Sequence, residues 1–168
     1  MSSETIETPE TLEELRERIL GHDRVLAVGR QTKPVLSRAE GASLVSLRRL
    51  SGIIEYEPSE FTFTAYAGTP ISDVAEALAG QDQYLPFDPL LSAAGATLGG
   101  TVASGIAGPG RLRYGGIRDF LVGVRFLSGD GEWITGGGKV VKNAAGFDLP
   151  KLLVGSLGRL GVLTELTF

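Results

Sequence analysis

Apolar and polar positions along this chain switch between a helical period and an alternating one, and the switches mark its elements. Leu12, Leu15 and Ile19 recur at helical spacing behind Thr8 and Pro9, with Glu10, Glu13 and Glu14 in the early turns and Gly21 at the end. This spacing predicts a helix capped by Thr8, its acidic residues complementing the dipole. The apolar run 25–28 reads as a strand that enters the polar loop Gly29-Arg30-Gln31-Thr32-Lys33-Pro34. Runs 43–47 and 53–57 read as further strands, and 61–67 alternates with Phe61, Phe63, Ala65 and Ala67 on one face. Ile71, Val74, Ala75 and Leu78 then follow the i, i+3, i+4, i+7 pattern behind Thr69 and Pro70, which predicts a second helix ending near Gly80. Pro86 and Pro89 keep 84–89 extended.

The stretch 94–110 reads AGATLGGTVASGIAGPG, with Leu98, Val102 and Ile106 at every fourth position. A short helix is predicted there, with Gly99 and Gly100 in its first turn. Unpaired amides and the positive dipole end attract an anion at such a place, and a bare backbone lets a ligand touch main chain. A small-residue packing seam between a helix and a sheet would look the same. Beyond it, 108–116 reads as a loop carrying Arg111, Arg113 and Tyr114, and 120–127 as a strand with Phe120, Val122, Val124 and Phe126 on one side. Ser128-Gly129-Asp130-Gly131 turns the chain into a strand at 132–135, which the glycines 136–138 end. Asp148 opens a further helix, and Val162 begins the last strand.

Composition changes this picture in two ways. The chain has 24 glycines in 168 residues, twice the ordinary share of about 7%, so tight turns and close backbone approaches are frequent. It has no cysteine, which removes disulfides, thiolate catalysis and cysteine metal sites. The net charge of −4 and pI near 5.1 leave no basic footprint for nucleic acid. No apolar run is long enough to span a bilayer and no signal-peptide pattern opens the chain, so the expectation is a cytoplasmic protein of one domain.

Familiar catalytic and nucleotide motifs are missing. No G-x-G-x-x-G follows a strand and no G-x-x-x-x-G-K-[ST] occurs. His22, the single histidine, follows a helix-ending glycine and reads as a surface residue, so Ser–His catalysis and histidine metal sites fall with it. What remains is four glycine-bearing loops, around Gly29, 95–110, Gly115-Gly116 and 155–161, suited to an extended ligand with a diphosphate.

The run GATLGGTVASGIAGPGRLRYGG, followed by IRDFLVGVRFLSGDGE, KNAAGFDL and GSLGRLGVLTE, resembles the FAD-binding domain of the vanillyl-alcohol-oxidase, PCMH-type flavoprotein family, nearest to its glycolate-oxidase branch. The resemblance covers roughly residues 20–168 and implies an α+β fold of two lobes. FAD would lie between a small mixed sheet and a larger, mainly antiparallel one. Residues 1–8 would be a frayed tail, 9–67 lobe one and 68–168 lobe two, without the cap domain that supplies substrate residues in such relatives.

By the same resemblance, Gly29, Thr32 and Lys33 form the first phosphate loop. Gly95, Thr97, Leu98, Gly99, Gly100, Ala103, Ser104 and Gly105 belong to the central segment that wraps the diphosphate and approaches the flavin. Gly161 and Val162 meet the cofactor through their backbone. Where the family commonly has three glycines in the first loop, this chain has one, followed by Arg30 and Gln31. Their side chains either crowd the diphosphate or, at Arg30, supply a compensating charge. Lys142, Asn143, Gly146, Phe147 and Asp148 match a K-N-x-x-G-[YF]-D pattern of the glycolate and D-lactate branch, although Asp148 also suits a helix cap and Phe147 the core.

The resemblance implies FAD held noncovalently, since Thr32 stands where some members carry a linking histidine. It further implies a subunit of a glycolate-type 2-hydroxy-acid oxidoreductase, working with flavin and iron–sulfur partner subunits and not active alone. No catalytic residue is assigned, and Arg111, Arg113 and Arg118 are the nearest basic candidates. The alternative is a binding or interaction module that keeps the fold with weakened or lost FAD binding.

Overall fold

A computed structural model describes residues 6–37, 40–138 and 147–168. Two sheets organise it. The smaller holds β1 (Ile6–Glu7), β2 (Val25–Val28) and β3 (Ser43–Ser46) in the order β1-β3-β2, and every pairing is parallel rather than mixed. Ile6 and Glu7 are therefore part of the sheet and not of a frayed tail. Glu7 explains why they stay: its Oε1 lies 2.7 Å from His22 Nε2, and Ser43 Oγ lies 3.1 Å from His22 Nδ1. His22, expected at the surface, is half-buried and ties β1 to β3.

The larger sheet runs β4-β5-β8-β6-β7, antiparallel throughout, with β4 (Ile53–Glu57), β5 (Thr62–Tyr66), β6 (Gly123–Leu127), β7 (Trp133–Gly137) and β8 (Val162–Thr167). The last strand of the chain is thus the middle of the sheet. It pairs Ala65 with Leu166 on one side and Val124 with Leu166 on the other, so folding must close the whole chain before the sheet is complete. β4 and β5, expected in lobe one, belong to this second sheet.

Helix α1 (Leu12–Leu20) buries Leu15 and Ile19 as the spacing predicts, but Thr11 rather than Thr8 caps it, accepting from Glu14 N at 3.1 Å. Helix α2 (Ile71–Ala79) buries Ile71, Val74 and Leu78 and stops at Gly80. Helix α3 (Leu98–Ser104) buries Leu98 and Val102; Ile106 lies beyond its C-cap, Gly105, and is partly exposed. The expected 108–116 loop contains the single turn α4 (Arg111–Tyr114). A second turn, α5 (Ile117–Phe120), takes Phe120 out of β6 and leaves Val122 partly exposed.

Two further expectations change. Phe61 is exposed at φ 54 on the cap of a 3-10 turn, so only Phe63, Ala65 and Ala67 of its set reach the core. Gly136 and Gly137 continue β7 instead of ending it, because a Cβ at Gly136 would come within 2.6 Å of Leu149 Cβ. The bare strand lets α6 (Leu149–Leu153) pack close.

One core joins both sheets through Leu15, Val45, Phe63, Leu98, Val102, Val124 and Leu166, and Phe168 stacks on Phe63 and Phe87 with ring centroids 5.2 and 5.6 Å away. Gly68 sits where β5 leaves that core, its N–H donating to Leu50 O at 3.1 Å. A Cβ there would run into the carbonyls of Leu47 and Leu50. Gly68→Ala is therefore expected to destabilise the fold by about 3 kcal/mol, read as a lower urea midpoint, with little change in the slope.

Candidate functional site

Helix α3 places the site. Its entry is bonded into the connection between β5 and α2: Leu98 N donates to Thr69 O at 2.9 Å, Gly99 N to Ala67 O at 2.7 Å, and Ile71 N to Ala96 O at 2.8 Å. Gly100 N is taken by Thr97 Oγ1 at 3.2 Å, the N-cap contact. The amides expected to be open to an anion at this helix start are therefore already paired. The glycines serve proximity instead, since a Cβ on Gly99 would stand 2.8 Å from Ala67 Cβ.

Thr97, buried behind that cap, also faces Gly29: a side chain at Gly29 would collide with Thr97 Oγ1. At the other end of α3, Gly155 N donates to Val102 O and Leu157 N to Ala103 O, both at 2.9 Å. The carbonyls of the helix end thus also receive amides of the loop that leads to β8. Gly161 then turns into β8 at φ +144, with room for a Cβ denied by Phe126 Cδ2 at 2.6 Å and Leu127 O at 2.8 Å.

These contacts enclose a cavity of about 310 Å³. Of the residues predicted from sequence, Gly29, Thr32, Lys33, Thr97, Gly99, Gly100, Ala103, Ser104, Gly161 and Val162 line it. Leu98 is turned into the core, Gly105 packs on Gly155, and Gly95 lies against Arg30, so these three do not line it. Arg30 and Gln31, expected to crowd the diphosphate or to supply a charge to it, line it too, and Leu36, Ser37, Leu157 and Gly158 join it without having been predicted as contacts. The 3-10 turn Pro34–Leu36, which brings Leu36 and Ser37 in, has no sequence signal beyond its proline. A second cavity of about 350 Å³ lies against the same first loop, bounded by Ile6, Val28, Gly29, Arg30, Gln31, Ser46 and Arg48.

The first loop now carries the open donors. Strand β2 is an edge of its sheet, and the amides of Arg30, Gln31, Thr32 and Lys33 donate to no described residue. Gln31 holds φ +50, a left-handed conformation that costs a non-glycine residue about 1–2 kcal/mol. Arg30, Lys33 and Arg48 line the two cavities, and among the described residues no Asp or Glu does, although the chain has 20 of them. Burial holds the Lys33 ammonium below its ordinary pKa. The arrangement suits an extended anionic ligand lying across the loop.

Other sequence candidates lie elsewhere. Gly115, Gly116, Arg111, Arg113 and Arg118 line neither cavity, and Arg113 instead sits 5.2 Å over the Tyr114 ring. Asp148 caps α6 through Lys151 N at 3.2 Å, and the Lys151 side chain holds its carboxyl below the usual carboxylate range. Phe147 is 92% exposed rather than in the core. Lys142, Asn143 and Gly146 lie outside the described residues.

With two sheets, a glycine-built cavity between them and a cationic first loop in place, the family follows. The family model described as an FAD binding domain matches residues 5–137, and the chain belongs to that family. FAD is its cofactor. Among relatives, glycolate oxidase subunit GlcE of Escherichia coli (strain K12) is 40% identical over 156 residues, which is 93% of this chain and 45% of that protein. Glycolate oxidase subunit GlcD of Bacillus subtilis (strain 168) is 33% identical over 126 residues, 75% of this chain and 27% of that protein. A solved structure of alkyldihydroxyacetonephosphate synthase in its P212121 crystal form shares the fold, with a TM-score of 0.76 and 24% identity over 96% of this chain and 30% of that one. The chain spans less than half the length of each of these proteins. No helix among the described residues is long and apolar enough to cross a membrane.

Lys33 reports on the ligand. Because its folded pKa lies below the unfolded one, the unfolded chain holds the extra proton between the two values. The stability of the ligand-free protein therefore rises with pH across that window. An anion in the cavity opposes the effect, so the Lys33 titration, followed by NMR at its Cε, is expected to move upward when ADP or FAD binds.

Proposed function

We propose that this chain is the FAD-holding part of a glycolate-type 2-hydroxy-acid oxidoreductase, binding the cofactor noncovalently and acting with flavin and iron–sulfur partner subunits in the cytoplasm. One observation carries the reading of the site. The segments around Gly29, α3 and Gly161, far apart in the chain, line a single cavity whose charged residues, among those described, are all cations. Gly29 and Gly161 are held against neighbours that exclude a side chain, as a cradle touched by main chain requires.

The open amides 30–33 and the ammonium of Lys33 would hold the diphosphate. Thr97, Gly99, Gly100, Ala103 and Ser104 would form the wall contributed by α3, and Gly158, Gly161 and Val162 the wall leading into β8. Ser104 Oγ already donates to Thr101 O at 3.0 Å, leaving its lone pairs for a ligand donor. Bound flavin supplies the redox chemistry itself, while these residues supply its seat and its electrostatic surroundings.

Noncovalent attachment is supported by the nucleophiles present. The chain has no cysteine, and His22 is engaged with Glu7 and Ser43 and lines neither cavity. A glycolate-type reaction and partner subunits are supported by the similarity to the two glycolate oxidase subunits.

Titration of the full chain with FAD is expected to quench flavin fluorescence and to raise the melting temperature in proportion to the logarithm of excess ligand. Acid precipitation is then expected to leave all the flavin in the supernatant. A chain that FAD neither colours nor stabilises would be the non-redox interaction module instead, and flavin in the acid pellet would overturn noncovalent attachment. Glycolate added to the isolated, FAD-loaded chain is expected to leave the flavin oxidised. Bleaching would show that partners are not needed.

A further inference from the structure

We infer that Arg30, seated over the bare backbone of Gly95, is a second cation beside Lys33 on the diphosphate of the bound dinucleotide, an inference that rests on the flavin reading above. Arg30 lines both cavities, which share the first loop from Gly29 to Gln31. It has no carboxylate partner among the described residues. It is also the first of the four residues whose amides stand open, so its charge and those donors belong to one short stretch of chain.

Gly95 explains how an arginine fits where a glycine would serve more simply. It holds φ +84, donates to Ser92 O at 2.8 Å, and lines neither cavity. A Cβ built on it would stand 3.1 Å from Arg30 Cδ, with Nη1 and Nε at 3.8 and 3.9 Å. The missing side chain at 95 is thus occupied by the arginine stem, which has a seat of its own. Gly95 is a positioning residue for Arg30 and not a ligand contact. Arginine suits the task because its planar fork presents paired donors to phosphate oxygens, a geometry lysine lacks.

The test compares the full-length parent with Arg30→Ala, Arg30→Lys, Gly95→Ala and the Arg30→Ala/Gly95→Ala double variant, by calorimetry with FAD, with ADP, and with riboflavin, which lacks phosphate. Arg30→Ala is expected to weaken FAD and ADP about tenfold to a hundredfold, to leave riboflavin unchanged, and to flatten the salt dependence of ADP binding. Arg30→Lys is expected to recover part of the loss. Gly95→Ala should weaken the same two ligands, and in the double variant it should add nothing to the effect of Arg30→Ala. Because Arg30→Ala removes an exposed side chain, its melting temperature is expected to match the parent, so a binding loss is not a folding loss.

If Arg30→Ala binds FAD and ADP as tightly as the parent, or more tightly, the side chain is idle or obstructive and the inference is overturned while the flavin reading stands. Equal losses with riboflavin overturn the assignment to the diphosphate. A parent that binds none of the three removes the flavin reading and this inference together.

Discussion

The donation of Gly99 N to Ala67 O, at 2.7 Å, is the contact on which the rest of the site depends. It fixes the start of a seven-residue helix against the end of β5, at a separation only a glycine permits. Once α3 is fixed, its cap Thr97 meets Gly29, just past β2 of the small sheet, and its last carbonyls receive the amides of Gly155 and Leu157. Three segments far apart in the chain are aligned by one short rod. So short a helix has little stability of its own; buried Leu98 and Val102, and hydrogen bonds at both ends, hold it in place.

Charge is sorted by the same architecture. The chain is acidic overall, yet no described Asp or Glu lines either cavity, and several are paired elsewhere. Glu7 pairs with Arg18 and His22, Glu10 with Arg49, Glu165 with Arg125 at 2.6 Å, and Asp148 with Lys151 at 3.0 Å. Asp88 and Asp119 accept from the amides of Gly110 and Gly116. Among the described residues, what faces the space between the sheets is cationic. Each exposed pair contributes little to stability; their larger effect is on which sign of charge the cavities present.

Legibility in the sequence followed the range of the interaction concerned. Helices α1 and α2 and most strands were readable because burial of one face imposes a period on neighbouring residues. Phe61 and Phe120 misled because alternation continues past the point where a local turn removes the residue from its strand. Gly136 and Gly137 misled differently. Their place in β7 depends on Leu149 and Pro150 packing above them, a contact no local pattern announces. The first loop was recognisable as a phosphate loop, but its departure at Arg30 and Gln31 left crowding and compensation equally open.

By itself the sequence determined the α+β class, the glycine-rich segments and the identity of the family, because these rest on local period and on ordered motifs. Only the tertiary structure decided that the amides at the start of α3 are spent on the β5–α2 connection, and that the open donors lie at 30–33 instead. It alone separated Gly29 and Gly161, which border the cavity, from Gly95, Leu98 and Gly105, which serve other contacts. The physical reason is that a glycine records only that something comes close. Whether the neighbour is a ligand, a strand or an arginine stem depends on residues brought from elsewhere in the chain.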